Sequence, residues 1–249
     1  MSFKIDEGYA FGLGAFETLS VIHGKPILLD YHLERLYEAL DFFGIHDHDR
    51  PEADEILSWI DTKDMPDNGV LKIIVSDKNI VRSYRNNTYT EKDYRRGFTI
   101  SITPVRRNET SPLVAHKTLN YGDNILEKRR AKAKGIDEPI FLNTRGEVAE
   151  GAVSNLFIVK DRQILTPQTD CGLLPGTVRR WIIEHFPVCE TILTPQDLKT
   201  ADELFLTNAL MGIMPVTRFE EKTWAIGPVT QKLQKAYQAL CFDDIPQTL

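Results

Sequence analysis

The stretch FGLGAFETLSVIHGKPILLDYHLERL, residues 11–36, decides how the amino-terminal part of the chain is read. It opens on two glycines, Gly12 and Gly14. A dinucleotide-binding loop would need a strand before them, a third glycine and a helix after. A β-rich run follows instead, residues 16–22, so the glycines read as a turn or a close backbone approach. His23-Gly24-Lys25 is a tight turn and residues 26–29 return, which predicts a hairpin. Asp30 is then expected to cap a helix whose apolar stripe, Leu33, Leu36, Tyr37, Leu40 and Phe43, recurs at three- and four-residue intervals and stops at Gly44.

Working outward, Pro51 opens a second short helix, where its missing N–H does no harm. Strands are expected over 70–75 and 98–103, with the charged, Asn- and Tyr-rich stretch 77–96 between them as a surface excursion. PVRRNETSP, from Pro104, carries two prolines between apolar segments and reads as an interdomain linker. These readings give a small α/β domain over 1–103, a linker over 104–113 and a larger domain over 114–249. In the latter, a helix over 121–134 ends at Gly135. Residues 139–142 and 154–160 read as paired strands about a turn at 143–146. A strand over 164–166, a helix over 177–186, a cap at Thr194-Pro195, strands over 203–207 and 214–218 and a final helix over 228–242 complete the pattern. No fixed-period repeat appears, which excludes a solenoid or propeller.

The chain has 249 residues, enough for one large domain or two modest ones without disulfide staples. Its 36 acidic and 30 basic residues leave a net charge of −6, a poor match to a nucleic-acid backbone. No apolar run approaches the roughly 18 residues of a membrane span, and the amino terminus, MSFKIDEGYAFG, has no secretory pattern. Cys171, Cys189 and Cys241 are odd in number and far apart, which suits reduced thiols and a cytoplasmic protein. His46-Asp47-His48-Asp49 lacks a completing ligand cluster, so no metal site is expected. No G-x-S-x-G elbow is present.

Two lysines stand in apolar company, where a desolvated amine becomes a nucleophile able to form a Schiff base. Lys72 in VLKIIV falls, by period-two alternation, on the solvent face opposite Leu71 and Ile73. Lys117 in LVAHKTLN precedes a helix and is the favoured candidate. Further on, residues 146–157, GEVAEGAVSNLF, bring an acid, a hydroxyl and an amide to the entrance of an apolar strand. LLPGTVR, residues 173–179, turns into a helix whose first amides form a ready anion site.

Six blocks in order, FGLGAFETL, LLDYHLERL, HKTLNY, VAEGAVSNLF, LLPGTVR and TNALMGIMPV, resemble the class IV (fold-type IV) pyridoxal-phosphate enzymes. That family comprises branched-chain and D-amino acid aminotransferases and aminodeoxychorismate lyases. The resemblance implies a two-domain α/β (α+β) fold, pyridoxal 5′-phosphate as cofactor, a small-molecule substrate and a homodimer. It implies Lys117 as the residue that carries the cofactor and Arg35 as a phosphate ligand. Glu150 is implied as partner of the pyridine nitrogen and Tyr121 as neighbour of the ring hydroxyl. Thr177 and Val178 would bind phosphate through their amides, with Ser154, Asn155, Asn208 and Ala209 lining the same end. Relatives usually place a further strand ahead of the glycine block, where this chain has ten residues before Phe11.

Within the family, Thr18 and TNALMGIMPV resemble the lyases, which implies release of pyruvate and 4-aminobenzoate from 4-amino-4-deoxychorismate, with Thr18 assisting proton delivery. Ser76-Asp77 stands where D-amino acid aminotransferases carry a carboxylate-binding arginine, and an acid there repels that group. Arg106 is a candidate for a substrate carboxylate or a solvated loop residue. An aminotransferase and a cofactor-binding protein without turnover are the alternatives.

Overall fold

The computed structural model describes residues 4–45, 50–61 and 65–242. The expectation for residues 46–49 lies outside them. The chain divides into two compact units, Met1–Thr88 with His116–Tyr121, and Tyr89–Ala115 with Gly122–Leu249.

The first unit runs α1 (Glu7–Phe11), β1 (Gly14–Ile22), β2 (Lys25–Pro26), α2 (Leu29–Phe42), α3 (Ala53–Ile60), β3 (Asn68–Ser76) and β4 (Asn79–Asn86). Its sheet has the order β2-β1-β3-β4, antiparallel throughout. Alternation sends Ala15, Leu19 and Val21 of β1 and Leu71, Ile73 and Val75 of β3 to one face. There they pack with Leu33, Leu36, Ala39 and Leu40 of α2 and Ile56, Trp59 and Ile60 of α3. The α2 helix starts two residues earlier than Asp30 implies. Leu28, in the left-handed region at φ 56°, is its cap, and Asp30 sits in the first turn, where its charge still complements the helix dipole. Pro51 likewise lies just outside α3, whose cap is Glu52.

The second unit continues with α4 (Glu91–Arg96), β5 (Phe98–Arg107), α5 (Gly122–Ala133), β6 (Glu138–Asn143), β7 (Val148–Gly151), β8 (Asn155–Lys160) and β9 (Gln163–Pro167). It ends with α6 (Thr177–His185), β10 (Val188–Thr191), α7 (Pro195–Thr200), β11 (Glu203–Asn208), β12 (Gly212–Phe219), β13 (Lys222–Thr223) and α8 (Pro228–Cys241). Among the described residues these strands form one mixed sheet, β10-β9-β8-β11-β12-β5-β6-β7, with β13 on β12. Phe98, Ile140, Leu156, Leu204, Met214 and Phe219 are among its core side chains.

Four further expectations change. Residues 77–96 are not an excursion: they hold β4 and α4, whose Thr90–Asp93 capping box secures the helix start. Residues 104–107, read as linker, are the end of β5, where Arg106 and Arg107 pair with Leu142 and Asn143 of β6. The boundary follows, because residues 89–103 belong to the second unit while His116–Tyr121 returns to the first. That return has a physical cause: Phe16 N–H donates to Lys117 O at 2.9 Å, Leu119 N–H to Gly14 O at 2.9 Å, and Ala15 bridges Thr118. Finally, 139–142 and 154–160 are strands but not partners, since β7 pairs with β6 while β8 lies between β9 and β11.

Candidate active site

In the first unit the site is built on β1. Gly14 lets the returning segment approach: a Cβ there would stand 2.6 Å from Val75 O and 2.9 Å from Leu119 Cδ1. Lys117 is thereby fixed beside β1, its Nζ 4.3 Å from the centre of the Phe16 ring and 5.2 Å from that of Tyr121. The two rings meet edge to face at 5.1 Å and 82°. Phe16 and Thr18 share one face of β1, so Lys117, Tyr121 and Thr18 belong to one side of this sheet. Lys72 joins them. It stands opposite Thr18 in the register, half-buried, with Nζ 4.7 Å from the Phe16 ring centre. It does point away from Leu71 and Ile73, as alternation requires, but that face is not bare solvent. Burial, helped by Arg85, lowers its pKa.

Glu17 faces the other way, toward α2, and is 1% exposed. Arg35 turns Nε and Nη2 to its two carboxylate oxygens, each at 2.8 Å, and His32 Nδ1 lies 2.6 Å from Oε2. Burial pushes the Glu17 carboxyl upward, yet Arg35 and His32 outweigh it and hold the group well below the usual carboxylate range. Burial lowers the His32 pKa against the pull of Glu17, which favours a neutral ring donating through Nδ1. Arg35 is thus not a loose cation off the helix stripe but one held in a fixed orientation by a buried acid. Glu17 and His32 were missed in the sequence; the available signal was an acid inside an apolar strand and the i,i+3 spacing of His32 and Arg35.

In the second unit, Glu150 of β7 is 6% exposed. Its Oε2 accepts from Leu174 N–H at 3.0 Å, and Asn155 Nδ2 donates to Leu174 O at 2.8 Å. The turn into α6 is therefore held at both ends of one residue. Gly176, the cap of α6, supplies no side chain to the first amides, and a Cβ there would stand 2.1 Å from Asn155 Oδ1. Buried Thr177 and Val178 follow as the first helical residues, at a start whose cap residue makes no side-chain hydrogen bond. Asn208 braces the neighbouring turn, donating to Val153 O at 3.0 Å and accepting from the N–H groups of Leu210 and Met211. Ala209 lies in that turn, half-buried. Ser154 donates to Glu138 Oε1 at 2.8 Å. Arg106 is exposed, whereas Arg107 turns inward, its Nη2 3.0 Å from Glu150 Oε1. Asp77 sits exposed in the β3–β4 turn.

An amine beside aromatic rings, a buried acid and an uncapped helix start are the groups needed by an anionic, ring-nitrogen cofactor. Among the described residues, no group of three or more His, Cys, Asp or Glu side chains is placed to hold a metal ion. No helix there is long and apolar enough to cross a membrane.

Comparison with known proteins agrees with this architecture. The aminodeoxychorismate lyase of Bacillus subtilis is 34% identical over 94% of this chain and 87% of its own. The D-alanine aminotransferase of Bacillus licheniformis is 26% identical over 98% of this chain and 93% of its own. The crystal structure of 4-amino-4-deoxychorismate lyase from Pseudomonas aeruginosa superposes with a TM-score of 0.82 at 27% identity, covering 98% and 97% of the two chains. The profile of amino-transferase class IV matches residues 14–219, from β1 to β12, and the chain belongs to that family.

Proposed function

We propose that the protein is a pyridoxal 5′-phosphate-dependent lyase that converts 4-amino-4-deoxychorismate into 4-aminobenzoate and pyruvate. The observation that carries this reading is the position of Lys117, fixed along β1 with its amine over Phe16 on the face that also presents Thr18. The 34% identity to the B. subtilis lyase supports it. When bound, the cofactor supplies an electron sink for bonds broken next to the substrate nitrogen.

The chain's own residues do the rest. Lys117 anchors the cofactor and, once freed by the substrate amine, takes the ring proton at its Nζ. Thr18 Oγ1 delivers a proton where the enolpyruvyl side chain leaves. Glu150 would partner the ring nitrogen and Tyr121 the ring hydroxyl. The amides of Thr177 and Val178 would hold the phosphate, and Arg35, kept aimed by Glu17, would add its charge to that role. Ser154, Asn155, Asn208 and Ala209 shape that end. The substrate divides into its two products with no water consumed and no acceptor required.

The test is a product assay. Purified protein with pyridoxal phosphate and 4-amino-4-deoxychorismate, without a keto acid, should release 4-aminobenzoate and pyruvate in equal amounts, and Lys117→Ala should release neither. A strict need for a keto-acid acceptor, with transfer of the amino group, makes the protein an aminotransferase. Cofactor uptake without turnover on either substrate class makes it a binding protein.

A further inference from the structure

Behind Glu150 stands a charged group that the proposed chemistry has not yet used. Arg107, at the end of β5, lays its guanidinium over the Phe141 ring, with Cζ 3.9 Å from the ring centre. Nη1 donates to Asn124 Oδ1 at 3.2 Å, and Asn124 Nδ2 donates in turn to Ala152 O at 2.7 Å. Phe141 is the cross-strand partner of Glu150, so ring, cation and carboxylate lie in one stack across β5, β6 and β7. Nη2 is 3.0 Å from Glu150 Oε1, while Nε and Nη2 have no aligned hydrogen-bond acceptor among the described residues. The pair is therefore a contact of charges, and charge is what Arg107 contributes.

The consequence follows from competition for one proton. A buried carboxylate with no cation beside it becomes a stronger base. Set against a pyridine nitrogen, it then takes the proton and leaves the ring neutral. A guanidinium at 3.0 Å weakens the carboxylate as a base, and the proton stays on the nitrogen. We infer that Arg107 is a positioning residue that acts through Glu150 to keep the pyridine nitrogen of the cofactor protonated. This rests on the reading of Glu150 as the partner of that nitrogen. An electron sink needs the cationic ring, so Arg107 sets the cofactor's power without touching it.

The experiment reconstitutes the protein with pyridoxal phosphate labelled with nitrogen-15 in the ring and reads that nitrogen by NMR. The wild type should resonate in the upfield, pyridinium range. Arg107→Met, and Arg107→Gln as a second uncharged variant, should move the signal downfield to the neutral pyridine range, and Arg107→Lys should restore it. Glu150→Gln should also move it downfield. Uncharged variants at 107 that keep the pyridinium signal while Glu150→Gln loses it overturn the inference alone, as does a neutral nitrogen in the wild type. A Glu150→Gln signal equal to that of the wild type, or no cofactor uptake, overturns the reading of Glu150 and this inference together.

Discussion

Glu17 is the residue on which the amino-terminal unit concentrates most charge in least space. A buried acid between an arginine and a histidine is costly to break, and removing one member of such a group typically costs about 3–5 kcal/mol. Its titration has a definite sign. The folded pKa of His32 is depressed, so as pH falls through the unfolded value of about 6.5 the unfolded chain gains a proton that the folded chain refuses. The folded pKa of Glu17 is also depressed, so a second loss begins below the unfolded carboxylate value of about 4.3. The midpoint of thermal unfolding should therefore fall from pH 7 to pH 5 and fall again toward pH 3. Glu17→Gln should be less stable at pH 7 and should flatten the more acidic limb. A midpoint that is level from pH 7 to pH 3 contradicts this account. In FETL and YHLERL as letters only the acid within an apolar strand and the i,i+3 pair were visible, because alternation says which face a residue takes but not which partner waits there.

At the scale of elements, the start of α6 is where a small change should have a specific effect. Gly176 has an ordinary φ of −73°, so alanine fits its backbone, but the added Cβ would meet Asn155 Oδ1 at 2.1 Å. Asn155 must then turn and release Leu174 O, which loosens the turn leading into the proposed phosphate site. Gly176→Ala should weaken pyridoxal phosphate binding by about tenfold, near 1.4 kcal/mol, in titrations of the cofactor-free protein. Added to Asn155→Ala it should cost little more, since the clash is gone. Wild-type affinity in Gly176→Ala refutes the role given to this turn. An element with strong periodicity, such as α2, was legible from sequence. By contrast, β4 hid because an edge strand with exposed Arg82, Ser83 and Arg85 has the composition of a loop. Likewise β7 hid because four buried residues are too few to show a period.

For the whole molecule, the described surface keeps large apolar groups in water. Ile5, Tyr9 and Phe11, at 74%, 70% and 67% exposure, fall within seven residues of the first unit. In the second, Leu126 is 50% exposed beside Ile125. Isolated apolar residues at a surface are ordinary, but three large ones on and beside a five-residue helix call for a cover. The homodimer implied by the family resemblance would supply one. Light scattering should give twice the 28.4 kDa chain mass, and Tyr9→Glu with Phe11→Glu should shift the protein toward the monomer. A wild-type monomer with full activity rules the dimer out.

The amino-acid sequence by itself determined the family and the order of six motifs, and it nominated the amine, acid and helix start proposed for the site. Those features are local, since each needs only a residue type and its near neighbours along the chain. Tertiary structure alone decided that 116–121 belongs beside β1, that Arg35 answers to Glu17 and that Arg107 rather than Arg106 turns toward Glu150. Such facts depend on hydrogen bonds and buried charges between residues distant in sequence, whose energy exists only once the sheet has closed the distance.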